Sequence, residues 1–209
     1  MMPGTLTLVG TPIGNLGDFS PRARRALEEA DFIAAEDTRV TLRLLNYFGI
    51  KKPLVSYFEH NKYQSGDKIL QRILAGENCA LVTDAGMPAV SDPGEELVAL
   101  CAREGVAVTA VPGPSAVVTA VALSALPAGR FTFEGFLSTS GRSRVEHLEE
   151  LKGERRTMVF YEAPHKIAKT LADLAAALGA GREVSLCREL TKMHEEVIRT
   201  TLGEAAERY

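Results

Sequence analysis

The sequence predicts a two-domain α/β protein, with a mostly parallel sheet in the N-terminal domain and a smaller mixed α/β C-terminal domain. Three observations carry this. Short β-rich runs alternate with amphipathic helical runs through the first half, the order that builds a parallel sheet covered by helices on both faces. Pro127 and Gly129 then interrupt the pattern, which places a boundary near 126–130 and gives domains 1–126 and 127–209. Finally, 209 residues that are 45% apolar and 24% charged make an ordinary globular balance, with enough chain to bury its cores.

Thr5–Val9 is the first strand and leads into a glycine-rich loop through Gly17. Residues 21–30 form a helix that Ser20 caps and Pro21 opens, since proline suits the first helical position. Phe32–Ala35 is a strand, and 39–48 is an amphipathic helix stopped by Gly49. Residues 53–56 are a short strand, and 64–75 a helix with Ile69, Leu70, Ile73 and Leu74 on one side. Cys79–Val82 is an apolar strand ending at Thr83-Asp84, Glu95–Arg103 a helix, and 106–111 a strand. The longest apolar stretch, 111–126, is broken at its start by Pro112, Gly113, Pro114 and Ser115 and stopped by Pro127. What remains is too short for a bilayer and reads as a buried helix.

In the second half, Phe131–Phe136 is a strand, and 138–144 is a polar, basic, mobile loop. Residues 144–151 are a helix, Thr157–Tyr161 a strand, 164–178 a long helix, 183–187 a strand and Glu196–Thr201 one more. The last residues, 203–209, read as a helix just begun.

Composition narrows the function classes. A net charge of −3 argues against a protein that coats bulk nucleic acid, and leaves room for an enzyme with a local basic patch. The three cysteines, Cys79, Cys101 and Cys187, are odd in number, lie in apolar runs and form no CxxC, so they read as core residues of a reducing compartment. No basic-then-apolar signal peptide opens the chain, so a cytoplasmic location is expected. The four histidines show no HExxH or related spacing, and no metal site is expected.

Residues able to carry chemistry fall after strands. The loop 10–18 brings glycines that let a ligand approach the backbone, but it does not match GxGxxG, and Pro12 removes a donor; an ordinary βα turn is the alternative. Residues 83–94 hold two glycines and two prolines in a constrained span, at the end of an apolar strand where open α/β sheets bind ligands; a structural turn is the alternative. Ser115, in the segment 111–116, either caps the next helix or meets a ligand. Ionisable groups follow successive strands: Glu36-Asp37-Thr38-Arg39, Glu59-His60-Asn61, Glu162 with His165 and Lys166, and Arg188 to Lys192. Any one of them alone is more readily a solvated charge; their joint placement is what points to a cleft.

Taken together these segments resemble the tetrapyrrole-methylase superfamily of S-adenosylmethionine-dependent methyltransferases. The resemblance rests on 9–18 (VGTPIGNLGD), 35–39 (AEDTR), 59–61 (EHN), 83–94 (TDAGMPAVSDPG), 111–116 (VPGPSA), 133–137 (FEGFL), 156–165 (RTMVFYEAPH) and 188–192 (RELTK), in order along nearly the whole chain. Within the superfamily it is similar to the branch that methylates the ribose 2′-oxygen of a cytidine in the decoding region of 16S ribosomal RNA.

The resemblance implies a two-domain tetrapyrrole-methylase-like fold, a homodimer, and S-adenosylmethionine folded into the cleft between the domains, with S-adenosylhomocysteine as product. Donor contacts are expected from Pro12, Ala85, Gly86, Met87, Val90, Ser115, Ala116, Phe160, Tyr161, Glu162 and Leu190, many through backbone atoms. Family chains run several tens of residues past the position of Tyr209, so the second domain is expected to be truncated here.

Methyl transfer from a sulfonium is an in-line displacement, so the protein must chiefly align acceptor, carbon and sulfur. A ribose hydroxyl also needs help to lose its proton. The candidates are Asp37, Glu59, His60, Glu162 and Lys192, unranked, since a sequence holds no distances. RNA contact, with the 30S subunit as the expected context, falls to Arg39, Arg43, Lys51, Lys52, Arg142, Arg144 and Lys166. The competing readings are the same fold methylating a tetrapyrrole or another small or protein substrate, a non-catalytic nucleotide-binding regulatory protein, and a nicotinamide-dependent oxidoreductase. AEDTR and EHN speak against the first, the ionisable clusters against the second and the poor glycine fingerprint against the third.

Overall fold

The computed structural model describes residues 2–139 and 141–209, and the chain divides into two compact units, Met1–Ser115 and Ala116–Tyr209. The division falls after Ser115, not near 126–130 as the Pro127 break suggested. The helix that follows Ser115 belongs with the second unit, where its Leu123 carbonyl accepts from Arg199 Nη2 at 2.5 Å and its Ala120 carbonyl lies 3.9 Å from Cys187 Sγ. The physical break is therefore Pro112-Gly113-Pro114, while Pro127 and Gly129 only shape a loop inside the second unit.

The first unit runs β1 (Thr5–Val9), α1 (Pro21–Glu29), β2 (Phe32–Ala35), α2 (Thr38–Phe48), β3 (Leu54–Ser56), α3 (Lys62–Leu74), β4 (Cys79–Val82), α4 (Glu95–Arg103) and β5 (Ala107–Val111). All pairings are parallel, in the order β3-β2-β4-β1-β5. Because strand side chains alternate between faces, Phe32 and Ala34 pack with Leu6, Leu81, Ile69, Ile73 and Leu97 on one side. Ile33 and Ala35 pack with Val9, Val82, Leu27 and Leu45 on the other. Two cores, one on each face, explain why β2 and β4 are wholly buried and read as continuous apolar runs.

The local signals act as expected at several ends. Ser20 Oγ accepts from the Ala23 amide at 3.0 Å and opens α1. Gly49 closes α2 at φ 70°, in the left-handed region. α3 begins at Lys62, two residues before the expected start, because Asn61 shapes the turn ahead of it: its Oδ1 accepts from the Phe58 amide at 2.8 Å, and its Nδ2 donates to the Ser56 carbonyl at 3.2 Å.

The second unit runs α5 (Ala116–Leu123), β6 (Phe131–Phe136), α6 (Gly141–Leu151), β7 (Thr157–Tyr161), α7 (Ile167–Leu178), β8 (Glu183–Arg188), β9 (Glu196–Thr201) and α8 (Leu202–Arg208). β6 and β7 pair parallel, with an irregularity between Phe133 and Gly135, and β8 and β9 pair antiparallel. The mixed character expected of this half is present. Leu137, Leu151, Leu171, Leu174, Leu202 and Ala205 form its core. A reciprocal Thr201–Glu204 capping box starts α8.

Three expectations need correction. α5 is not a buried helix: only Val117 and Val121 are buried, and Val118 is 55% exposed. The mobile loop expected over 138–144 is largely absent, because α6 starts at Gly141; Ser140 lies outside the described residues. The long helix 164–178 is a 3-10 turn, Pro164–Lys166, followed by α7. Among the described residues no helix is long and apolar enough to cross a membrane.

Candidate active site

The parallel sheet sends the segments after all five strands to one edge of the first unit, where open α/β sheets present their ligand loops. There the loops after β1, β4 and β5 are locked together through backbone. Thr11 and Gly86 form an antiparallel bridge, N to O at 2.9 and 3.1 Å, and the Thr11 hydroxyl donates to the Thr83 carbonyl at 3.2 Å. The Gly10 amide donates to the Val111 carbonyl at 3.1 Å. Gly10 and Gly113 are so close that a Cβ on either would stand 2.6 or 2.7 Å from the other's Cα. Only glycine permits that approach. The 83–94 segment also holds Gly86 at φ 93°, and Ala89 and Ser91 at φ 67° and 60°. Two non-glycine residues in the left-handed region within one loop store strain of about 1–2 kcal/mol each.

A group of carboxylates lies beneath this loop. Glu36 accepts from the Thr83 hydroxyl at 2.6 Å. Asp84 Oδ1 accepts from the Asp37 amide at 3.1 Å, and burial raises the Asp84 carboxyl above its ordinary range. Asp92, half-buried, is pushed up to about 6, first by burial and then by the charge of Glu36. The Thr83 hydroxyl has a single proton, and at 2.6 Å it goes to Glu36. Sequence reasoning missed Asp92 as a titrating group, since the pattern around it shows turn chemistry and not burial.

Asp37 caps α2 by accepting from the Arg39 amide at 2.8 Å, and it pairs with the Arg39 guanidinium at 2.6 Å. The hydrogen bonds from Arg39 hold its carboxyl down at about 2. Glu59 pairs with Lys62 at 2.7 Å, and Lys62 also reaches Glu96. His60 is exposed, with its ring edge-on to Phe58 at 6.2 Å and no hydrogen bond or ion pair among the described residues.

In the second unit a cavity of about 460 Å³ opens between the β7 and β8 strands and helices α5 and α7. Of the expected donor residues, Ala116, Phe160, Tyr161, Glu162 and Leu190 all line it. Tyr161 packs against Phe133 and Phe136, with ring centroids 5.0 and 5.6 Å away. Glu162 accepts from the Thr170 hydroxyl at 2.6 Å and the Ala163 amide at 2.7 Å. Leu190 is flanked by Glu189 and Thr191, both at positive φ, and the Thr191 hydroxyl is buried without a hydrogen-bond partner among the described residues. Lys192 pairs with Glu189 at 3.0 Å.

The expected RNA cations separate into two sets. Arg144 is a correction: it is buried, and its guanidinium donates to Asp173 at 2.7 Å, the Ser138 carbonyl at 2.8 Å and Thr170 at 3.1 Å. Its basic, polar neighbourhood read as a loop, whereas the i, i+4, i+7 placement of Arg144, Leu148 and Leu151 turns it inward. Arg39 is paired with Asp37, and Arg142 with Glu146 at 2.6 Å. The side chains of Arg43, Lys51, Lys52 and Lys166 take no hydrogen bond or ion pair among the described residues.

Residues 5–206 match the family described as Tetrapyrrole (Corrin/Porphyrin) Methylases. The chain is 54% identical over 202 residues to "Ribosomal RNA small subunit methyltransferase I" of Halalkalibacterium halodurans, covering 97% of this chain and 70% of that protein. It is 49% identical to the protein of the same name from Thermotoga maritima, covering 97% of this chain and 90% of that one. Among solved structures, it superposes at a TM-score of 0.67 and 21% identity on uroporphyrin-III C-methyl transferase from Thermus thermophilus complexed with S-adenyl homocysteine, covering 98% and 91% of the two chains. That likeness bears out the fold class.

Proposed function

This chain belongs to the tetrapyrrole (corrin/porphyrin) methylase family, and on that premise we propose that it methylates small-subunit ribosomal RNA with S-adenosylmethionine as methyl donor. The observation that carries this is identity of 44–54% over nearly the whole chain to proteins named for that activity. The acceptor is the ribose 2′-oxygen of a cytidine in the decoding region of 16S ribosomal RNA, presented in the 30S subunit. The enzyme works as a homodimer in the cytoplasm.

The residues present fit the donor. Backbone at Ala85, Gly86 and Met87 lies in a loop pinned by the Thr11–Gly86 bridge. Phe160 and Tyr161 offer apolar surface, Glu162 a carboxylate for a cation, and Thr191 a buried hydroxyl beside Leu190 with no hydrogen-bond partner among the described residues. Pro12, Val90, Ser115 and Ala116 complete the donor contacts. The donor supplies an electrophilic methyl already activated by its sulfonium charge. The chain has to hold acceptor oxygen, carbon and sulfur in line, and a rigid, strained loop with little freedom to relax serves that end.

The attacking hydroxyl must give up its proton as the carbon–oxygen bond forms and the carbon–sulfur bond breaks. Of the five candidates, Asp37 is held ionised by Arg39, Glu59 is paired with Lys62, Lys192 with Glu189, and Glu162 with Thr170. His60 has no such partner among the described residues, and an imidazole ring nitrogen is a common proton acceptor in general-base catalysis. We assign it first place. His60→Ala is expected to lower transfer to 30S subunits by about 10²-fold or more at saturating donor, with donor affinity by calorimetry unchanged. An unchanged rate would remove His60 from the mechanism.

A further inference from the structure

α2 carries a stripe that the methyl-transfer account above leaves unused. Val40, Arg43, Leu44 and Tyr47 fall at i, i+3, i+4 and i+7, one face of a helix, beside the Thr41 and Leu45 face that enters the core. This stripe and the loops after β1 and β4 enclose a cavity of about 410 Å³ within the first unit. Its walls include Pro12, Leu16, Arg43, Tyr47, Thr83 and Asp84.

Three features make it more than a gap between a helix and two loops. Tyr47 is 67% exposed although aromatic, and its ring is held by a T-shaped contact with Phe48, centroids 4.9 Å apart. Arg43 is a guanidinium with no hydrogen bond or ion pair among the described residues. Asp84 has one carboxylate oxygen fixed by the Asp37 amide, and the other has no partner among the described residues. An exposed aromatic face, an unpaired cation and an oriented acceptor in one cavity match the parts of a nucleotide: base, phosphate and exocyclic amine.

We propose that this cavity seats the acceptor nucleotide, swung out of its RNA strand, with the base stacked on Tyr47, a phosphate against Arg43 and an exocyclic amino group donating to Asp84. This rests on the reading of the chain as an RNA methyltransferase. Sequence-specific recognition of RNA mostly targets single-stranded, unstacked bases, which stack on aromatic side chains and are hydrogen-bonded along their edges. The volume is in the range of small-molecule sites. Its wall is continuous with donor segments, since Thr83-Asp84 runs directly into Ala85-Gly86 and Pro12 follows the bridged Thr11. A carboxylate acceptor at Asp84 selects bases that carry an amino group, such as cytosine, over uracil, which presents a carbonyl there.

The chain contains no tryptophan, so Tyr47→Trp installs a single fluorescent reporter in the cavity. Cytidine 5′-monophosphate and a short single-stranded oligoribonucleotide titrated into that variant are expected to quench it saturably. Adding Arg43→Ala should weaken the midpoint about tenfold, and adding Asp84→Asn should remove the preference for cytidine over uridine monophosphate. In transfer to 30S subunits, Tyr47→Ala is expected to raise KM about tenfold or more, with Tyr47→Phe near wild type and donor affinity the same in all. Wild-type KM and kcat in Tyr47→Ala, on subunits that the wild type methylates, overturn the proposal and leave the RNA activity standing. Saturable quenching by nucleotide in a protein that methylates no RNA supports the pocket and overturns the activity instead.

Discussion

Arg144 and Asp92 show how burial changes what a charged residue does. Arg144 sits in a basic, polar stretch, yet it ties α6 to α7 through Asp173 and Thr170 and lies two hydrogen bonds from Glu162. Removing one partner of a largely buried ion pair strands the other, at a cost of about 3–5 kcal/mol. Arg144→Ala is expected to fall near the lower end, since Asp173 is 27% exposed and Lys169 remains beside it. Chemical denaturation measures this, and the salt dependence of RNA binding should not move. Asp92 acts in the opposite sense. Its pKa is raised from 3.8 to about 6, so the folded state binds its proton more tightly than the unfolded state. Stability from this group is present at low pH and is lost as pH rises through about 4 to 6. Asp92→Asn is therefore expected to raise Tm by about 2 °C at pH 8 and by little near pH 4, as a pH series of thermal melts would show.

Elements differ in how far their sequence announces them. The strands of the first unit and α1, α2 and α4 are legible because each satisfies a local rule: a period of two or 3.6, a cap, a glycine stop. What was not legible depends on contacts distant in sequence. α5 is as apolar as a buried helix, but which of its faces is covered is decided by β8 and β9 residues some 70 positions on. The site loops were legible as constrained segments, but the reason for the constraint was not. Gly10 and Gly113 are about a hundred residues apart in sequence, and only the parallel sheet brings their backbones together. Gly113→Ala is expected to cost about 1–3 kcal/mol and to abolish S-adenosylmethionine binding, measured by melting and calorimetry. Gly49→Ala meets no neighbouring atom, so it should lose only the conformational part, about 1 kcal/mol, and leave binding intact.

At the scale of the whole molecule, a net charge of −3 and an RNA substrate are reconciled by where the cations are left unpaired. Many cations are tied to acidic neighbours, whereas Arg43, Lys51 and Lys52 of the first unit have no ion pair among the described residues. Each phosphate contact adds roughly 0.7–0.9 to the slope of log K against log salt. Lys51→Ala with Lys52→Ala is expected to lower that slope by about 1.5 in a filter-binding series with 30S subunits, without altering donor affinity.

The most direct test of the account is to incubate the purified chain with S-adenosylmethionine and 30S subunits lacking the modification, then map methyl groups on the RNA by mass spectrometry. A single 2′-O-methylcytidine in the decoding region of the 16S RNA is the predicted result. Saturable donor binding with no methyl group on that RNA, and methylation of a tetrapyrrole in its place, would contradict it.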